Sequence, residues 1–98
     1  MAGIRLVLHP DAIAEARAAR EWYEARSVRA SEAFMEELDR AVEQVLEAPQ
    51  RWPRYLRGTR RFLLHRFPFL VVYREVSGGV EIVAVAHAHR KPGYWTGR

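Results

Sequence analysis

The stretch that decides the fold is "FLVVYREVSGGVEIVAVAH", residues 69–87. Two apolar, β-branched runs, 69–76 and 80–87, flank Ser77-Gly78-Gly79, and glycine can take the positive φ that a tight hairpin turn requires. A connection this short forces the runs to pair antiparallel. Toward the N-terminus, "TRRFLLHR" (59–66) is another strand-like run, separated from the first only by Phe67-Pro68. The second half of the chain therefore reads as a β-meander.

Further upstream the pattern changes. "PQRWPRYLRG" (49–58) is a loop by its prolines and glycine. Ala30, Phe34, Leu38, Ala41, Val42, Val45 and Leu46 keep helical spacing, with Ser27 placed to cap the start and Pro49 to stop the end. The opposite face, with Glu32, Glu36, Glu37, Asp39, Glu43 and Glu47, reads as solvated surface. Pro10 and Asp11 suit the first turn of an earlier helix running to about Arg26, with a stripe of Ala12, Ala16, Ala19 and Tyr23 small enough for close packing. His9 reads as a helix-start residue. "IRLVL" (4–8) is a short strand with Ile4, Leu6 and Leu8 on one face. The order β-α-α-β-β-β predicts an α+β domain, a helical hairpin packed on one face of a mostly antiparallel four-stranded sheet.

Composition narrows the function. At 98 residues the chain (1–98) is expected to form a single domain with one core. It has no cysteine, which excludes disulfides, zinc-thiolate sites and a cysteine nucleophile. Its apolar runs fall well short of the roughly 20 residues of a membrane span, and "MAGIRLVLHPD" lacks the form of a secretory signal. A cytoplasmic protein is expected, with no membrane partner. The net charge of +4 conceals a split. Residues 1–49 carry six arginines against ten carboxylates, whereas residues 50–98 carry nine arginines and Lys91 against only Glu75 and Glu81. A basic half of this kind suits an acidic partner.

No phosphate loop, dinucleotide fingerprint or His-Glu metal motif is present. His87 and His89 have a spacing that can chelate a metal from one strand face, but no further ligand lies near them, so no metal site and no cofactor are expected. What remains is a set of cations and aromatics at the strand ends: Arg60, Arg61, His65, Arg66, Arg74, His87, His89, Arg90, Lys91, Tyr94 and Trp95. Guanidiniums fork onto phosphates, imidazole moves protons near neutral pH, and aromatic faces stack on bases. RNA cleavage would need an acid and a base together. His87 can serve as the acid, but between Arg51 and Arg66 every cation is an arginine, which has no neutral form to act as base, and His65 alone titrates there.

The order of elements, "RWPRYLRGTRRFLLHRFPFLVVYRE" and the ending "VAVAHAHRKPGYWTGR" together resemble the RelE/ParE toxins of type II toxin-antitoxin systems. Phe67-Pro68-Phe69, Val72 and Tyr73 resemble the family's "FPY-x-I-x-Y" stretch. The resemblance implies a growth-inhibiting toxin of the plasmid-stabilisation type, held inactive by a cognate antitoxin with a flexible, acidic C-terminal segment. RelE-like members are mRNA endoribonucleases on the ribosome, and ParE-like members inhibit DNA gyrase. By position, Arg60 or Arg61 would be the phosphate-binding arginine, His87 or Arg90 the catalytic position after the last strand, and Tyr94 the terminal tyrosine. Arg66, Lys91 and Trp95 complete the expected target-binding surface. The lysines of RelE-like members have no match, because Arg51, Arg54 and Arg57 stand in that region. This departure favours the ParE-like branch, with the ribonuclease as alternative and, third, a degenerate toxin that only binds its antitoxin and helps repress the operon.

Overall fold

The structure, a computed structural model, describes residues 3–98. Strand β1 (Arg5–Leu8) leads into helices α1 (Pro10–Glu24) and α2 (Val28–Glu47), and a loop with a single 3-10 turn (Leu56–Gly58) leads to strands β2 (Arg60–Leu63), β3 (Phe69–Val76) and β4 (Gly79–His87). The sheet order is β1-β4-β3-β2, with β1 parallel to β4 and the other pairs antiparallel. This is the expected α+β architecture with a four-stranded mixed sheet.

The hairpin forms for the reason the sequence suggested. Val76 pairs with Gly79 across Ser77-Gly78, and Gly78 takes φ 74°. Gly79 answers a different need. A Cβ there would lie 1.9 Å from the Arg5 carbonyl oxygen, so only glycine lets β1 close against β4. Val72 pairs with Ala84 but Tyr73 with Ile82, which leaves Val83 as the extra residue of a β-bulge.

Both helices cap as predicted. His9 Nδ1 accepts from the Asp11 N–H at 3.1 Å, and Ser27 Oγ from the Ala30 N–H at 3.1 Å. α1 ends at Glu24 rather than Arg26. Ala12 and Ala19 on α1, and Phe34, Leu38, Ala41 and Val45 on α2, are buried against Phe62, Val71, Tyr73, Ile82 and Val85 of the sheet. Phe34 is fully enclosed and meets Tyr23, Phe67 and Phe69 at ring separations of 5.0–5.4 Å with Tyr23–Phe67 included. Tyr73 is also fully buried, and its hydroxyl donates to the Pro49 carbonyl at 2.7 Å. Burial pushes that phenol up to about 12.

Two expectations need correction. The strand expected over 59–66 keeps sheet pairing only through Leu63, because the chain turns away to hand the His65 and Arg66 N–H groups to the Glu37 carboxylate. Glu37 is therefore not part of a solvated stripe. It is 6% exposed, and its carboxylate also takes the Arg66 Nε at 3.1 Å. Burial works to raise the Glu37 carboxyl, but the hydrogen bonds from His65 and Arg66 outweigh it and hold it below its ordinary range.

The sheet has a second covered face. "FLVVY" and "IVAVA" are continuous apolar runs rather than alternating ones, so both sides of β3 and β4 need shelter. Leu70, Val72, Val83, Ala84 and Ala86 face away from the helices and are covered by Trp95, with Tyr55 and Tyr94 beside it.

Candidate functional site

β1 stops at Leu8, which leaves the rest of the β4 edge without a neighbouring strand. Side chains take its place. Glu15 on α1 accepts from the Val85 N–H at 3.0 Å, and the Arg98 guanidinium donates to the Val83 carbonyl at 3.0 Å. The two groups pair with each other through both nitrogens, at 3.0 and 3.1 Å. Arg90 approaches the same carboxylate at 3.7 Å and lies 3.5 Å from the centre of the Tyr94 ring. Arg74 donates to the Arg98 carbonyl and pairs with Glu81. The end of the chain is thus stitched to α1 and β4 by paired charges.

This arrangement relocates several expected site residues. Trp95 is only 3% exposed, stacked on Tyr55 at 5.4 Å, and belongs to the core of the second face rather than to a target-binding surface. Tyr94 is half-buried, and among the described residues its enclosed hydroxyl has no hydrogen-bond partner. Burial and the neighbouring Glu15 push this phenol above its ordinary value, away from the range useful for proton transfer near neutrality. Arg66 is held by Glu37. Lys91 is exposed.

His87 is exposed, with its ring edge-on to Phe69 and its Nδ1 accepting from the His89 N–H at 3.1 Å. Its register partner is Phe69, which packs on the helix side, whereas Arg61 pairs with Val72, which faces the other way. His87 and Arg61 therefore project from opposite faces. Two strand spacings and three residues also separate them, about 14 Å of backbone by ordinary sheet dimensions. Arg60 points to the helix side and donates to the Trp52 carbonyl at 2.8 Å. His87, Arg90 and Tyr94 line one concavity, but neither Arg60 nor Arg61 joins them there. Among the described residues no group of three histidine or acidic side chains could hold a metal, and no helix is long and apolar enough to cross a membrane.

Two of the concavities on the helix side bear on the site. One, of about 450 Å³, lies between α1 and the end of β4, lined by Trp22, Tyr23 and Phe69 together with His87, Arg90 and Tyr94. The other, of about 600 Å³, is an apolar groove where α1 and α2 fail to cover β1. Leu6, Leu8 and Ile13 stand 39–46% exposed along it, and Arg17 and Arg20 lie at its rim. Sequence reasoning placed Leu6 and Leu8 on one face correctly but gave no sign that the helices would leave them uncovered. It also missed Glu15, whose only signal was a carboxylate on the otherwise apolar side of α1.

Comparison with known proteins accords with this fold. Curated proteins give no match. Among solved structures, a chain described as "Chromosomal ParDE TA system from P. aeruginosa" superposes with a TM-score of 0.64 at 22% identity, over 88% of this chain and 97% of that one. Residues 6–92 match the family described as "ParE toxin of type II toxin-antitoxin system, parDE". That match spans the helical hairpin, the meander and the start of the tail, and the chain belongs to the ParE toxin family.

Proposed function

We propose that this toxin acts by occupying its target, without chemistry of its own, and that the target is DNA gyrase, as the resemblance to ParE-like toxins implies. One observation supports the reading: Arg61 projects from the face of the sheet opposite His87, and Tyr94, which lines the same concavity as His87 and Arg90, is a half-buried phenol pushed above its ordinary value by burial and Glu15. A cognate antitoxin in the same cytoplasm neutralises it. The apolar groove beside β1 offers a surface to the antitoxin's apolar side chains, with Arg17 and Arg20 as well as Asp39 and Glu43 along it for polar contacts.

The test is direct. Gyrase supercoiling and mRNA cleavage on translating ribosomes are assayed side by side with one toxin preparation, together with the double variant His87→Ala/Tyr94→Phe. Loss of supercoiling, unchanged in the double variant, is the expected result. New mRNA cuts that vanish in the double variant would overturn it in favour of the RelE-like alternative. If neither activity appears, the role reduces to antitoxin binding and operon control.

A further inference from the structure

We propose that loop 51–59 and the start of β2 form a clamp for the phosphate backbone of duplex DNA, a ligand additional to the gyrase protein. Five arginines, Arg51, Arg54, Arg57, Arg60 and Arg61, fall within eleven positions. Among the described residues none of them pairs with a carboxylate, while Arg66, Arg74, Arg90 and Arg98 all do. Glu75, which lines a hollow of about 460 Å³ with Arg54 and Arg60, is hydrogen-bonded by Gln50 instead.

Two of these arginines are held close together at a cost to the fold. Arg54 and Arg60 are partners in an isolated antiparallel bridge, and like charges directly opposite one another repel. Arg57 sits at φ 59°, ψ 42°, a left-handed conformation that side chains rarely adopt. Strained residues of this kind mark functional sites when something observable accompanies them, and here it is a concentration of unneutralised charge. The cluster is also ordered. The Arg61 guanidinium lies 5.1 Å from the Tyr55 ring and that of Arg51 5.7 Å from the Trp52 ring. Both rings are fixed in turn, Tyr55 by stacking on Trp95 and Trp52 by its contact with Phe62 and its hydrogen bond to the Gln44 carbonyl. Guanidiniums braced this way lose little freedom when they grip a phosphate.

The chemistry selects the ligand. Single-stranded RNA or DNA is recognised by stacking bases on free aromatic faces, but Tyr55 is stacked on Trp95 and capped by Arg61, and Trp52 is braced against Phe62. An acidic peptide needs apolar anchor pockets, and the apolar concavities lie on the helix side, away from this loop. A rigid, regularly spaced array of phosphates needs neither. Arg61 and the loop lie at the β2 edge, whereas the groove assigned to the antitoxin borders β1 at the opposite edge, so both ligands fit at once.

The experiment measures binding of the purified toxin to a short labelled DNA duplex by fluorescence anisotropy over a range of salt concentrations. Each phosphate neutralised contributes about −0.9 to the log–log salt slope, so three to five contacts give a slope of about −3 to −4.5. The variant Arg51→Gln/Arg54→Gln/Arg57→Gln should weaken binding at least about tenfold at low salt and flatten the slope by about 2 to 3. The same positions changed to lysine should retain most of the slope. Arg26→Gln/Arg29→Gln/Arg40→Gln on the helical hairpin, exposed and matched in charge, should leave binding within about twofold. Equal losses in the two glutamine variants would reduce the effect to net charge and overturn the proposal. So would tighter binding of single-stranded RNA, or displacement of the duplex by a polyglutamate peptide of equal charge. Thermal melts of each variant show whether a loss reflects unfolding, and the lysine variant then decides.

Discussion

The tail and the loop are both built from arginines laid on aromatic rings, yet they do opposite things. In the tail, Arg90 and Arg98 share the Glu15 carboxylate, Arg98 also satisfies a β4 carbonyl, and the Tyr94 ring lies 3.5 and 5.1 Å from the two guanidiniums. In loop 51–59 and the start of β2, Arg51 and Arg61 meet rings and Arg60 a backbone carbonyl, and among the described residues none of them meets a carboxylate. A paired, enclosed guanidinium is a fold element, and an unpaired one on a braced ring is available to a ligand. The residue types are the same in both places, so only the placement of Glu15, Glu81 and Glu37 tells them apart.

Removing the tail's cover breaks the comparison most sharply. Trp95→Ala should destabilise the domain by about 3–5 kcal/mol, the usual range for deleting a buried aromatic, and chemical denaturation measures it. A loss below about 1 kcal/mol would mean that the second face of the sheet does not depend on the tail. A smaller effect tests the charge alone. Glu15→Gln keeps an acceptor for the Val85 N–H but removes the partner of Arg98 and Arg90, and should cost about 2 kcal/mol. Glu15 and Arg98 are about 15% exposed, so this cost should change little with added salt, whereas DNA binding by the loop should fall steeply. If both respond equally to salt, the distinction between tail and loop fails.

What was legible in the sequence follows from the range of the forces involved. The hairpin and both helix starts are set by neighbours in sequence: Gly78 at the turn, His9 and Ser27 at the caps, and the 3.6-residue stripe of α2. Those readings needed only local geometry. The role of Glu15 depends on partners 70 and 83 positions away, and those of Trp95 and Tyr94 on the face of the sheet turned from the helices, and no periodicity carries that information. One clue was present. The unbroken apolar runs of β3 and β4 implied two faces to cover, while the paired helices could cover one, so some other segment had to supply the second lid. Glu37 was misread for the opposite reason. A carboxylate in an acidic helix face has the pattern of solvated surface, and only the free N–H groups at His65 and Arg66, a consequence of where β2 ends, draw it inside.

The smallest expected effect is the one that ties the loop's strain to its purpose. Arg57 occupies a left-handed conformation next to Gly58, which takes φ 73°. For a residue with a Cβ this costs about 1–2 kcal/mol. Glycine relieves that strain but gives the unfolded chain more freedom to lose, so the net gain from Arg57→Gly should be only about 0.5 kcal/mol. The same change removes one phosphate contact and should flatten the DNA salt slope by about 0.9. A variant more stable and yet weaker on DNA is what a strained binding loop requires. If Arg57→Gly instead destabilises the domain, the guanidinium is holding the loop together, and Arg57 belongs with the structural arginines of the tail.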